Sequence, residues 1–157
     1  MLDTVQAEKS MVHKRLVRAH LRIGWIGLFT FATIGLALEG LHGFKSASYL
    51  GVGNETRRLM WTLAHAHGIG LSLVQIGFSG TCALDPELPS GLLALASRLL
   101  NFAFVLIPGG FLLGGITTYG ADPSVGVLLV PAGALLLLAA LAAVTWGLLR
   151  VRETRQS

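Results

Sequence analysis

Four long apolar runs divide the chain. They extend from about Ile23 to Phe44, Leu59 to Phe78, Leu92 to Thr118 and Val125 to Leu149. Charge, proline and loop-forming residues collect between them. Each run is long enough to cross the hydrocarbon core of a bilayer, which needs about 20 residues at a rise of about 1.5 Å. None alternates with period two over the length of a barrel strand. The pattern predicts an all-α integral membrane protein, a bundle of four transmembrane helices.

The flanking segments have their own character. Residues 1–22 place Asp3, Glu8, Lys9, Lys14, Arg15, Arg18 and Arg22 among apolar positions. That mixture predicts a short basic amphipathic helix lying along the membrane surface. A signal peptide has a shorter charged lead and a small-residue cleavage site, so this segment is expected to be retained. The predicted organisation is a basic N-terminal segment (1–22), one transmembrane domain (23–149) and a short basic tail (150–157). Asp85-Pro86 and Pro89-Ser90 are helix-start signals, and Asp122-Pro123-Ser124 predicts an N-cap followed by proline at the first helical position. Pro108 and Pro131 fall inside runs three and four, where neighbouring helices can compensate for the lost hydrogen bond.

Composition narrows the class. Hydrophobic residues make up 53% of the 157 and charged residues 13%, against about a quarter charged in soluble domains. The apolar content excludes a disordered chain. The single cysteine, Cys82, excludes a disulfide scaffold or a cysteine-based zinc site. Of the 12 lysines and arginines, only Lys45, Arg57 and Arg58 lie between the first two runs. The others sit in the N-terminal segment, the tail or near the start of run three. The asymmetry predicts cytoplasmic termini, as in a bacterial inner membrane. A pI of 9.8 follows from basic tails beside anionic lipid and needs no nucleic-acid partner. No P-loop, dinucleotide fingerprint or nucleophile triad is present, so no residue is assigned a catalytic role.

Ionisable groups at membrane depth are costly and mark candidate sites. Glu39 and His42 share one face of run one, and run two carries His65-Ala66-His67-Gly68. Counted from the flanking charges, Glu39 and His65 each lie roughly 10 Å from the same surface. Glu39, His42 and His65 are thus expected to share a layer that suits iron, copper or zinc. His65 and His67 point about 200° apart on a helix. His65 lies on a polar stripe with Arg58, Thr62, Ser72, Gln75 and Ser79, expected to face the bundle. Either histidine beside Gly68 and Gly70 also suits an axial haem ligand opposite His42 or His20. A titratable pair such as Glu39 with His65 would serve proton or quinone handling. The purely structural alternative is a hydrogen-bonded cluster of Glu39, His42, His65 and Arg58 that fixes the first two helices. Arg98 and Asn101 lie at a depth comparable to Gln75, a candidate second polar layer, although Arg98 is rather expected to snorkel to the cytoplasmic interface. Gly24, Gly27 and Gly35, and the pairs Gly109-Gly110 and Gly114-Gly115, are expected to allow close helix packing.

The segment Leu63-Ala64-His65-Ala66-His67-Gly68, with Gly77-Phe78 farther along, resembles the histidine-bearing helices of the haem-copper oxidase and nitric oxide reductase superfamily. It covers 16 residues, 63–78. The resemblance implies His65 or His67 as a haem ligand. Runs three and four carry no histidine, so it implies a small haem-binding or accessory relative rather than a gas-reducing centre. Two functions follow as expectations. One is a subunit linked to respiratory electron transfer, binding haem b or a transition metal through Glu39, His42, His65 and His67. The other is a non-catalytic accessory or assembly subunit, packed in the bilayer against other membrane subunits or further copies of itself.

Overall fold

The computed structural model describes residues 2–156, with side chains described at 10–151 and at 153. The fold is all-helical apart from one small hairpin. Among the described residues there are five α-helices: α1 (Leu2–Gly43), α2 (Ala47–Leu50), α3 (Glu55–Leu84), α4 (Ser90–Ile116) and α5 (Leu129–Gln156).

The basic N-terminal segment is not a separate surface helix. It is the first half of α1, which runs through 42 residues and would be about 63 Å long at helical rise. No proline interrupts 2–43, and the first glycine, Gly24, falls beyond the charged stretch. Nothing in the sequence therefore breaks the helix between Arg22 and Ile23. Lys14, Arg15, Arg18 and Arg22 are exposed, while His13 and His20 are buried. The side chains of Asp3, Glu8 and Lys9, and of Arg152 and Arg155 in the tail, lie outside the described residues.

The connection between α4 and α5 also differs from expectation. Asp122 and Pro123 do not open a helix; they form a strand paired antiparallel with Thr118 and Tyr119. Gly120 supplies the positive φ of 62° that the turn requires. Ser124 follows, and its backbone N–H donates to the Gly114 carbonyl at 3.0 Å while its hydroxyl donates to the Leu113 carbonyl at 2.8 Å. The last carbonyls of a helix have no partner within it, and Ser124 is held where it serves two of α4. A short 3₁₀ turn, Val125–Leu128, then leads into α5.

The long helices pack in chain order, α1 on α3, α3 on α4 and α4 on α5. Each pair is antiparallel: Val17 meets Ser79 while Phe31 meets His65, and Gly110 meets Val130 while Gly147 meets Leu92. Segments Ser10–Gly43, Ser90–Ile116 and Val125–Val151 are long and apolar enough to cross a membrane. α3 is of similar length, 30 residues, and carries most of the polar groups; it lies between α1 and α4. Glycines on α1 make the close approach to α3 possible. A Cβ on Gly35 would overlap the His65 ring, and one on Gly27 the Ser72 hydroxyl. A Cβ on Gly68 of α3 would overlap the Phe31 ring.

Two apolar clusters form the core. One, at the end that holds the chain termini, is built on Phe78, Leu88, Leu93, Ala96, Leu100 and Ala140. The other, at the opposite end, is built on Met60, Ala64, Leu71, Ala103, Ile107 and Phe111. The boundary between them, at the level of His20, Gln75 and Asn101, is polar.

Candidate functional site

The histidines of α3 occupy different environments, as their spacing predicts. His65 is half-buried against Gly35, and its Nδ1 donates to the Phe31 carbonyl across the α1–α3 contact at 2.7 Å. His67 is exposed. Its Nδ1 donates to the Leu63 carbonyl one turn back at 2.8 Å, and its ring lies tilted against Phe111 at 4.9 Å. A carbonyl oxygen only accepts, so in each ring Nδ1 carries a proton; the Nε2 of His65 lies against Gly35 of α1.

Glu39 and His42 are both exposed near the end of α1. His65 is level with Phe31 and Gly35. Glu39 is therefore one to two turns nearer the end of the molecule, a displacement of about 6–12 Å at helical rise. The layer expected from counting along the sequence does not form. α3 starts at Glu55 rather than at Arg58, which sinks His65 farther from its helix end than Glu39 is from the end of α1. Among the described residues, no three histidine, cysteine, aspartate or glutamate side chains gather in a metal-binding arrangement.

The residues present fit haem or a metal in one respect. A metal-bound imidazole commonly donates its other N–H to a carbonyl, as the rings of His65 and His67 do. A second axial ligand from the same chain is not prepared. His42 is exposed beyond the His65 level, and His20 has both ring nitrogens engaged elsewhere.

That elsewhere is a buried polar layer centred on His20, whose side chain is 0% exposed. Its Nδ1 bonds to Gln75 Oε1 of α3. Since an amide oxygen only accepts, Nδ1 carries the proton and Nε2 accepts from the Ser97 hydroxyl of α4 at 2.8 Å. Gln75, also 0% exposed, passes the chain on: its Nε2 donates to Asn101 Oδ1 at 3.2 Å. Phe78 presents its ring to His20 in a T-shaped contact at 4.6 Å. One turn away, the Ser79 hydroxyl donates to the Val17 carbonyl at 2.8 Å. The result is a run of hydrogen bonds, Ser97–His20–Gln75–Asn101, through α1, α4 and α3. It meets the requirement that buried polar groups be partnered, and chains of such bonds polarise one another.

Gln75 and Asn101 of this layer were legible as polar residues at matching depth. His20 and Ser97 were not, because His20 lies between Arg18 and Arg22. The signal that identifies it is helical spacing: His20, Gly24, Gly27 and Phe31 fall on one stripe of α1, and the glycines mark that stripe as packed. Arg98, the other candidate for the layer, is exposed.

At the opposite end Arg57 acts as a clamp. Its Nε donates to the Gly115 carbonyl at 3.1 Å and one Nη to the Ile116 carbonyl at 3.3 Å, serving the C-terminus of α4. The other Nη reaches the Ser48 carbonyl and Asn54 Oδ1. The guanidinium also lies 5.8 Å from the centre of the Trp61 ring. Arg58 donates to the Tyr49 carbonyl at 3.4 Å. These two cations, which blur the charge asymmetry of the sequence, are tied to backbone carbonyls.

Comparison with protein-family models, curated proteins and solved structures finds no match to this chain.

Proposed function

We propose that the protein is a four-span membrane protein with cytoplasmic termini that serves as a non-catalytic accessory or assembly subunit, docked laterally in a larger membrane complex or on further copies of itself. One observation carries this reading: the buried polar layer uses its groups on one another. His20 spends both ring nitrogens inside the fold, and Gln75 bonds through both its oxygen and its nitrogen. Mutual pairing of this kind supports a role in setting helix register.

Among the described residues three helices are apolar enough to cross and α3 is not among them; its position, antiparallel between two of the three, supports a fourth span. Its polar side chains lower its hydropathy, and three of them, Ser72, Gln75 and Ser79, are buried in the bundle. The outer surface is apolar along α1 and α5, with Trp25, Phe29, Leu135, Leu138 and Trp146 all exposed. Purification in mild detergent followed by native mass spectrometry tests the reading. A stoichiometric partner or a defined homo-oligomer is expected; a stable lone monomer overturns it. Labelling of single cysteines placed at Lys45 and Tyr119 from the outer side, and at Glu87 from the inner side, tests the four-span topology.

The second reading keeps haem b, iron or copper and a link to respiratory electron transfer. It is favoured by the Nδ1–carbonyl bond of the exposed His67, the second hydrogen bond that a metal-bound imidazole commonly makes. As His67 lies on the lateral surface, the second ligand would come from a neighbouring chain. A reduced-minus-oxidised spectrum with metal analysis decides it: no Soret band and no stoichiometric metal overturns the reading.

A further inference from the structure

The end of the molecule that holds the chain termini contains a groove of about 840 Å³ between the first half of α1 and the end of α3. One rim is cationic. Lys14 and Arg18, one turn apart on α1, both line it and are both exposed. The Arg18 Nε donates to the Lys14 carbonyl at 3.3 Å. That bond holds the guanidinium beside the helix through Nε, and an arginine carries further N–H donors on its two Nη atoms. Val17, Cys82, Ala83 and Pro86 supply an apolar stretch of wall, and Ser10 and His13 complete the lining. Asp85 and Glu87 flank Pro86 but are not among the residues lining the groove.

We propose that this groove binds one anionic phospholipid, its phosphodiester on Lys14 and Arg18 and the upper part of an acyl chain along Val17, Cys82 and Ala83. The inference rests on the membrane-spanning reading given above. Charge complementarity supplies the headgroup contact. Arginine and lysine are the side chains suited to phosphate oxygens, and basic pockets between helices at a membrane surface recognise such headgroups. Shape decides between a lipid and a free phosphate ion. The groove is far larger than a phosphate, and Val17, Ala83 and Pro86 give it an apolar stretch beside the polar Ser10 and His13. An acyl chain fills that wall, whereas an ion would leave it wet or empty.

The test uses the full chain in nanodiscs of phosphatidylcholine containing phosphatidylglycerol, with retained lipid counted by native mass spectrometry. One phosphatidylglycerol per chain is expected. The double substitution Lys14→Gln, Arg18→Gln should weaken retention about 30-fold, from about 1 kcal/mol per basic side chain near a membrane surface and a factor of ten per 1.4 kcal/mol. Both positions are exposed on a helix, where glutamine is well tolerated. Ala83→Trp keeps both charges but fills the wall, and should also reduce retention. Arg15→Gln, exposed outside the groove, should leave it unchanged. Equal retention of phosphatidylcholine, equal loss in Arg15→Gln, or displacement of the lipid by inorganic phosphate each overturns the proposal. Release of the chain from native membranes by alkaline carbonate would instead overturn the membrane-spanning reading, which keeps the two failures apart.

Discussion

The two polar regions of this protein are built to opposite plans. The inner layer of His20, Gln75, Ser97 and Asn101 draws one or two residues from each of three helices and joins them side chain to side chain. The outer region has more titratable groups and less organisation. His65 and His67 each bond to a backbone carbonyl, while Glu39 and His42 stand exposed on α1. The richer chemistry in the sequence is therefore not the better-built site. Buried polar groups cost free energy unless partnered, so the fold concentrates its bonds where no water reaches, and an exposed acid or imidazole imposes no such demand.

This contrast can be broken most sharply at His20. His20→Ala removes the centre of the layer, strands the Gln75 oxygen and the Ser97 hydroxyl, and opens a void among fully buried neighbours. A stability loss of about 3 kcal/mol is expected from the orphaned groups and the cavity together, read as a fall in the unfolding midpoint in detergent. A loss no larger than that of an exposed substitution would show the layer to be dispensable.

Gly68→Ala probes the α1–α3 seam on which both regions depend. The new methyl meets the Phe31 ring with no room to settle, and over-packing of this kind costs about 2 kcal/mol. Because the same displacement shifts the Phe31 carbonyl, the His65 environment should change as well, visible as an altered imidazole signal by NMR.

A double-mutant cycle between Gln75→Leu and Asn101→Leu measures the link along the layer itself. Hydrogen-bond couplings between membrane helices average about 0.6 kcal/mol, up to about 1.7. A value in the upper half of that range is expected here because both partners continue into further bonds. A coupling indistinguishable from zero would reduce the layer to independent contacts. At the outer region, Glu39→Gln and His42→Gln should each change stability by less than about 0.5 kcal/mol, as exposed substitutions do. A large loss at either would restore the outer cluster that the sequence suggested.

Why one region was legible and the other was not follows from what periodicity encodes. The four apolar runs correspond to the four long helices, because the length of an uninterrupted apolar run tracks helix length. The inward polar stripe of α3 was readable in part: Ser72, Gln75 and Ser79 are buried and Arg58 and His65 half-buried, while Thr62 is exposed. Depth was not readable. It was counted from Lys45 and Arg58, but helices end where their caps and turns end them. The Ala47–Leu50 helix and the 3₁₀ turn before Glu55 shift α3 relative to α1 by more than a turn. His20 was hidden by company: a histidine among arginines looks interfacial until the glycines four and seven residues on reveal the packed face. Asp122-Pro123 carried a sound helix-start signal that lost to a stronger need, the unpaired carbonyls at the end of α4.

The polar layer also has an uneven membership. It takes side chains from α1, α3 and α4 and none from α5. What locates α5 along α4 is a set of notches: Gly110 receives Val130, Gly133 receives Ile107, and Gly147 receives Leu92. A slip of α5 by one turn would cost fit and no hydrogen bond within that layer. Within the membrane-length bundle three helices are thus keyed to one another through the polar layer and the fourth to α4 through its glycine notches, which makes the hairpin at 118–123 the natural joint at which this protein could be divided and put back together.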